Sequence, residues 1–483
     1  MSLSRNATYS AIAATLPSVL TLVTVPLYLH FVGVERYGVL ALCWVFLAYS
    51  AFMDLGLGLA VARRIAQSRD GDGEDAAEAL WTAIWLSLGL GLAAGAAVYA
   101  GGLYYFGNMA KVAPTFRSEV AAAIPLMAAA VPVLMLSGVL SGALQGRERF
   151  LALNSAQVLG NALGAVLPLV LAYFWSPVLP VLVAGALLGR LVPVPLLFAL
   201  CRRAVPLRGI SRPSGACARS LLGFGGWVSL TTIAVAVLSS ADRLMIGGMI
   251  GAAAVSVYTI PYNLMSRIYI VPHSLSPVLF PRFAWLDESE RQNLVLHGLQ
   301  TIAAIVTPLL IGAVMLVKPF FTLWIGPELT QAALPLSYMF AVGFWFYCIG
   351  YPAIGLLQAT GRPDLVSKLF LAQIVPFIGA NLLALSMFGL VGAVLVFLVR
   401  LPLEAIALVL LARIPWSTLK PLVVPAGLTV SAVLAAWALD GFERYPVLLA
   451  LLAAATLWSA IHAPAAIRNR LGRFARFLPG SRS

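Results

Sequence analysis

Two neighbouring runs decide the fold: 366–388, VSKLFLAQIVPFIGANLLALSMF, and 390–412, LVGAVLVFLVRLPLEAIALVLLA, parted only by Gly389. Each is long enough to cross the apolar layer of a bilayer as a helix, which takes about 20 residues. Their apolar residues are continuous rather than alternating, so helices are favoured over a barrel. Outward from these two, comparable runs fall at about 7–32, 39–62, 80–105, 120–144, 151–174, 178–200, 221–247, 254–281, 294–317, 332–357, 421–439 and 446–463. The reading is an all-α integral membrane protein of about fourteen transmembrane helices.

Composition agrees. The 483 residues are 61% hydrophobic and 10% charged, with mean hydropathy +0.95, whereas a soluble domain carries roughly 25% charged residues. A soluble enzyme is excluded. Fourteen spans of about 22 residues use about 308 and leave roughly 175 for loops and tails, too few for a sizeable soluble domain.

The net charge of +13 reflects basic loops. With fourteen spans, 22 Lys and Arg fall in one set of loops, 5 (Arg36, Lys111, Arg117, Lys318, Arg444) in the other, and four inside the spans. The cation-rich side is cytoplasmic, which puts both termini inside and requires an even number of spans. The start of the chain reads as a retained first span rather than a cleaved signal peptide. Nucleic-acid binding is not expected. The basic tail 468–476 reads as an interfacial segment on anionic membrane lipid.

The longest cytoplasmic linker, 201–220, divides the chain into an N-terminal six-helix lobe (1–200), a C-terminal six-helix lobe (221–413) and a two-helix extension with a basic tail (414–483). Faint internal similarity supports two repeats. Gly142-Ala-Leu-Gln145 matches Gly355-Leu-Leu-Gln358, Gly146-Arg147 matches Gly361-Arg362, Ala156-Gln157 matches Ala372-Gln373, and Gly33 matches Gly251. The matches come in order at offsets of 213 to 218 residues. Six spans per repeat make the repeats parallel, a transporter plan with the substrate between them.

No phosphate loop, dinucleotide fingerprint, HExxH motif or nucleophile elbow occurs. Cys43, Cys201, Cys217 and Cys348 lack metal or redox spacing, and His30, His273, His297 and His462 are scattered. No cofactor or metal is expected. The acidic cluster Asp70, Asp72, Glu74, Asp75 and Glu78 reads as a solvated loop face.

Chemistry is then left to seven ionisable residues inside the spans: Asp54, Arg190, Asp242, Arg243, Arg267, Arg400 and Glu404. Each costs roughly 2.5–3.5 kcal/mol at a helix centre, so they should face protein or a wet cavity. Arg400 and Glu404 are four apart and read as a direct pair. Thr259, Asn263, Ser266, Arg267 and Ser274 fall on one face of an ideal helix, with Arg267 near its middle. Arg267, Arg243, Asn263 and Arg190 are the substrate-binding candidates. Asp54, Asp242, Glu404 and Arg400 are the coupling or gating candidates.

Asp242-Arg-Leu-Met-Ile-Gly247 followed by Gly251-Ala-Ala-Ala-Val-Ser-Val-Tyr258 resembles the helix 7–8 signature of polysaccharide-biosynthesis flippases. These form the O-antigen (Wzx-like) branch of the multidrug/oligosaccharidyl-lipid/polysaccharide exporter superfamily. Gly33-Val-Glu-Arg-Tyr-Gly38 with Asp54-Leu-Gly-Leu-Gly58 resembles its helix 1–2 region, and Gly361-Arg-Pro363 with Phe388-Gly-Leu-Val-Gly-Ala393 its helix 10–12 stretch. The resemblance implies two six-helix lobes in a V-shaped, MATE-like arrangement, with helices 1, 2, 7 and 8 on a central cavity. It implies a non-enzymatic flippase of the bacterial cytoplasmic (inner) membrane. Such a protein moves a polyprenyl-diphosphate-linked glycan outward by alternating access. A coupling ion, proton or sodium, and a glycan polymerase are candidate partners. Unlike the lipid II branch, which carries arginines in helix 1, the span 7–31 contains no charge. The rival readings are an ion-coupled small-molecule antiporter of the same fold and a membrane enzyme acting on lipid-linked sugars. The outer loops are short and hold no acid–base cluster, which disfavours the enzyme.

Overall fold

A computed structural model describes residues 20–50, 56–68, 73–205, 209, 211–439 and 441–462. Among the described residues every regular element is helical. The helices are α1 (Leu20–Phe31), α2 (Val34–Ser50), α3 (Leu57–Gln67), α4 (Gly73–Tyr104), α5 (Pro114–Gly146), α6 (Phe150–Phe174), α7 (Leu179–Leu191) and α8 (Pro193–Ala204). They continue with α9 (Gly215–Met249), α10 (Ala252–Met265), α11 (Ile270–Trp285), α12 (Glu288–Trp324), α13 (Pro327–Ala359) and α14 (Pro363–Leu411). The last are α15 (Trp416–Leu419), α16 (Val423–Ala438) and α17 (Arg444–His462). Among the described residues ten helical stretches are long and apolar enough to cross a membrane.

Ten differs from the expected fourteen for traceable reasons. The run 7–32 is described only from residue 20, as α1. The run 39–62 is divided between α2 and α3, with 51–55 outside the described residues. The run 254–281 is broken by a short 3₁₀ turn, Ser266–Tyr269. The two runs quoted first are joined in α14, whose 49 residues would extend about 74 Å if straight, more than twice the apolar thickness of a bilayer. The helix instead folds back at Gly389, at φ 58°, ψ −140°. A side chain on Gly392 would run into the Ala384 carbonyl, so the two arms of α14 form a hairpin.

The chain forms two compact units, Met1–Ser256 and Val257–Ser483. Their boundary lies inside α10 and not at the linker 201–220. The reason is that α9 packs on α2, α3 and α4. The Tyr105 hydroxyl donates to the Leu244 carbonyl at 2.6 Å, Lys111 Nζ to the Met249 carbonyl at 2.6 Å, and the Ser256 hydroxyl to the Val34 carbonyl at 2.6 Å. The linker itself is tied to α4, where Trp85 Nε1 donates to the Ser211 carbonyl and Thr82 Oγ1 accepts the Ser214 amide.

In the first unit, glycines four apart seat three helix pairs. Gly91 and Gly95 of α4 lie against Pro132 and Ala128 of α5. Gly142 and Gly146 of α5 lie against Gly58 and Ala62 of α3, and Gly185 and Gly189 of α7 against Pro168 and Gly164 of α6. Without a hydrophobic driving force between helices in lipid, close backbone approach supplies the association through van der Waals contact. Gly142→Leu is therefore expected to lower stability by about 1–3 kcal/mol or more, read as a falling unfolding temperature in detergent. An unchanged temperature would show that the α3–α5 seam does not depend on this approach. At one end of the unit the Arg36 guanidinium donates two bonds to Glu119, at 2.7 and 3.1 Å, and lies over the Phe116 ring. Glu119 also accepts the Leu179 amide at the start of α7.

In the second unit α12, α13, α16 and α17 pack together. The sequence places Arg444 in a loop. It is instead buried at the start of α17, where it donates to the Tyr445 hydroxyl at 2.9 Å and to the Tyr338 hydroxyl at 3.5 Å. The helix α12 is opened by Asp287, whose side chain accepts the Glu290 amide at 2.8 Å; that bond holds its carboxyl below the usual range.

Candidate functional site

Arg190 sits in the last turn of α7, just before the break that Pro193 imposes at the start of α8. It lines a cavity of about 300 Å³ with Trp44 and Leu47 of α2, Leu134 and Met135 of α5, and Val183 of α7. Every other residue lining it is apolar or glycine except for the indole nitrogen of Trp44. Arg190 makes no hydrogen bond and no ion pair with any described residue. Its Nε lies beside Gly164 of α6, where a side-chain carbon would make an ordinary contact at 3.7 Å. A guanidinium at membrane depth without a partner is costly and offers a two-pronged fork that matches phosphate.

The other candidates of the first unit are placed differently. Asp242 and Arg243 are buried on α9, 4% and 9% exposed. Asp242 Oδ1 accepts the Arg243 backbone amide at 2.8 Å, and Arg243 Nη1 donates to the Ser239 carbonyl at 3.1 Å. Both therefore engage α9 itself. Asp54 lies outside the described residues.

In the second unit Arg267 is exposed on the 3₁₀ turn between α10 and α11. The single polar stripe expected of an ideal helix is not kept. The 3₁₀ turn advances about 120° per residue rather than 100°, so Ser274 is rotated away from the face of Thr259. Thr259 is buried. The hydroxyls of Ser266 and Ser274 are spent on the carbonyls of Asn263 and Val271. Arg267 and Asn263 remain partly or fully accessible.

A cluster that sequence reasoning missed lies beside this turn. Tyr269 packs on Tyr347 with ring centres 4.2 Å apart, and Tyr351 on His273 at 4.6 Å with the hydroxyl 3.2 Å from Nδ1. The residues are distant in sequence and meet because α11 packs on α13. On α14, Arg400 lies over the Phe377 ring at 5.0 Å, and its charge reaches the buried Glu404 carboxyl one turn on. Gln373, on the opposite arm, has both amide atoms buried without a hydrogen-bond partner. Its only sequence signal was the repeat match with Gln157. Among the described residues no three His, Cys, Asp or Glu side chains gather as a metal site.

The profile of the family described as polysaccharide biosynthesis protein matches residues 3–286. The chain belongs to that family. A putative O-antigen transporter of Shigella flexneri is 23% identical over 392 residues, 81% of this chain and 93% of its own length. The lipopolysaccharide biosynthesis protein WzxC of Escherichia coli K12 is 24% identical over 391 residues, 80% of this chain and 75% of its own. The fold of this polysaccharide biosynthesis family member is similar to an inward-facing MATE transporter of the MOP superfamily, with TM-score 0.68 at 18% identity over 84% of this chain and 95% of that one. It is also similar to the lipid II flippase MurJ in an inward closed conformation, with TM-score 0.67 at 14% identity over 93% and 98%.

Proposed function

We propose that this protein is a flippase, not an enzyme. It carries a polyprenyl-diphosphate-linked oligosaccharide from the cytoplasmic to the outer leaflet of a bacterial inner membrane by alternating access, for O-antigen, capsule or exopolysaccharide synthesis. The observation that carries the reading is Arg190, a guanidinium without a partner among the described residues, in an otherwise apolar cavity of a family member. A diphosphate needs such a cation inside a low-dielectric wall. Arg267 and Asn263 are the phosphate-binding candidates of the second unit, with Arg267 the principal anchor there. Arg243 plays a subordinate part, its guanidinium being partly engaged by Ser239. Asp54, Asp242, Arg400 and Glu404 are the candidates for coupling transport to a proton or sodium ion.

Fourteen spans in two parallel repeats complete the proposal. In support, α5 and α13 both have 33 residues and begin at Pro114 and Pro327, an offset of 213. Gly33 and Gly251, each at positive φ, immediately precede α2 and α10. Both termini are cytoplasmic on this topology. Single cysteines at Ser2 and Ser483, in a background lacking the four native ones, are expected to resist an impermeant thiol reagent in intact cells. Labelling of either from outside contradicts the topology.

Transport is expected to respond to membrane potential. An anion moving outward from a negative interior gains about 2.3 kcal/mol per charge per 100 mV. Proteoliposomes with an inside-negative potential should flip faster than depolarised ones, and indifference to potential of either sign would remove this driving force from the scheme. Flipping of the intact lipid-linked glycan, measured in the same proteoliposomes, tests the function itself.

A further inference from the structure

The two arms of α14 enclose a groove of about 620 Å³. Pro376, Ala380 and Met387 line it from the first arm, and Val396, Val399 and Leu403 from the second. Several of these side chains are exposed, as are Val375 and Leu382 beside them, so the groove is open on one side and presents apolar walls there. Its polar groups are Gln373, Arg400 and Glu404. The buried Gln373 amide, beside Glu404, offers two donors and an acceptor, and Arg400 adds a cation.

Depth selects the occupant. Arg400 is eleven residues from Gly389 and eleven from Leu411, about 17 Å along the helix from either end, near the middle of a ~30 Å apolar layer. A resident phospholipid keeps its headgroup at the interface. A headgroup in transit between leaflets passes this depth. We propose that, at a stage of transit distinct from its contacts with Arg190 or Arg267, the isoprenoid–phosphate junction of the lipid-linked substrate enters the α14 groove, with the chain along the apolar walls and the phosphate against Arg400 and Gln373. The inference rests on the flippase reading given above.

Glu404 sets the competition. Its carboxyl faces Arg400 from its own arm, Gln373 across the groove and Tyr347 from α13. As a carboxylate it competes with phosphate for Arg400. Once protonated it does not, so phosphate binding tightens as pH falls and the occupied groove carries a proton.

The test is binding of geranylgeranyl diphosphate to the purified full-length protein, beside flipping of the native lipid-linked glycan in proteoliposomes. Wild type is expected to bind the diphosphate without competition from phosphatidylglycerol. Ala380→Trp, which fills the groove, is expected to weaken binding about tenfold or more. Glu404→Gln is expected to tighten binding at neutral pH and to leave only the pH dependence of the diphosphate's own ionisation, a gain that misfolding cannot imitate. Competition by phosphatidylglycerol at equal affinity would overturn the proposal, as would unchanged binding in both variants. Absence of binding by a wild type that flips the glycan overturns the groove and leaves the flippase reading standing, whereas binding without flipping overturns the functional reading on which it rests.

Discussion

Arg190→Ala is expected to abolish glycan export while raising the thermal stability of the protein. The two effects have one cause. Arg190 faces an otherwise apolar cavity with no ion-pair partner among the described residues, so its desolvation is uncompensated and its removal relieves the folded state. The same guanidinium supplies a charge-assisted bond to phosphate, worth about 1.5–3 kcal/mol, and its loss lowers affinity by about ten- to a hundredfold. Arg190→Lys keeps the charge but not the fork and should retain part of the activity. Export in a strain lacking the chromosomal gene, beside unfolding temperature in detergent, checks both. A variant that loses stability together with export would mark Arg190 as structural.

Arg267→Ala should abolish export in a folded protein, and Arg267→Lys should reduce it partly. The 3₁₀ turn Ser266–Tyr269 interrupts the helix at this residue and leaves its side chain exposed. If Arg267 serves to neutralise a carboxylate instead, removing that carboxylate as well restores function, because the cost of the single change lies in leaving one charge unpaired. Normal export by Arg267→Ala combined with Asp54→Asn or Asp242→Asn would therefore refute the anchor role.

The spans were legible because lipid imposes a length and an apolar composition that no other environment demands. Even the fold-back at Gly389 was marked by two full spans meeting at one glycine. Gly33 and Gly251, which match in the sequence, both stand where the chain turns at positive φ. Arg190 was found by its charge, since charge inside a span is rare whatever surrounds it. Its isolation was not visible, because it depends on which side chains of α2 and α5 reach the cavity.

The misses have a common origin. A hydrophobic period assumes an ideal helix, and the 3₁₀ turn after Met265 rotates α11 relative to α10, which broke the stripe from Thr259 to Ser274. Tyr347 and Gln373 carry no charge, and only the packing of α11, α13 and α14 shows what they meet. Arg444 reads as a loop residue because it stands at the edge of its apolar run, yet its fork is held by the Tyr338 and Tyr445 hydroxyls at the buried start of α17. The boundary inside α10 was also hidden, since α9 is tied to the first unit by hydrogen bonds from Tyr105 and Lys111, and the start of α10 by one from Ser256, residues with no marked sequence pattern.

The most direct test is reconstitution. The purified protein is placed in liposomes carrying a polyprenyl-diphosphate-linked oligosaccharide on the leaflet equivalent to the cytoplasmic one, and arrival of the glycan on the other leaflet is followed with a membrane-impermeant glycosidase. Wild type is expected to expose the glycan far faster than empty liposomes or the Arg190→Ala protein. Equal rates in all three would contradict the assignment of this protein as a flippase of lipid-linked glycans.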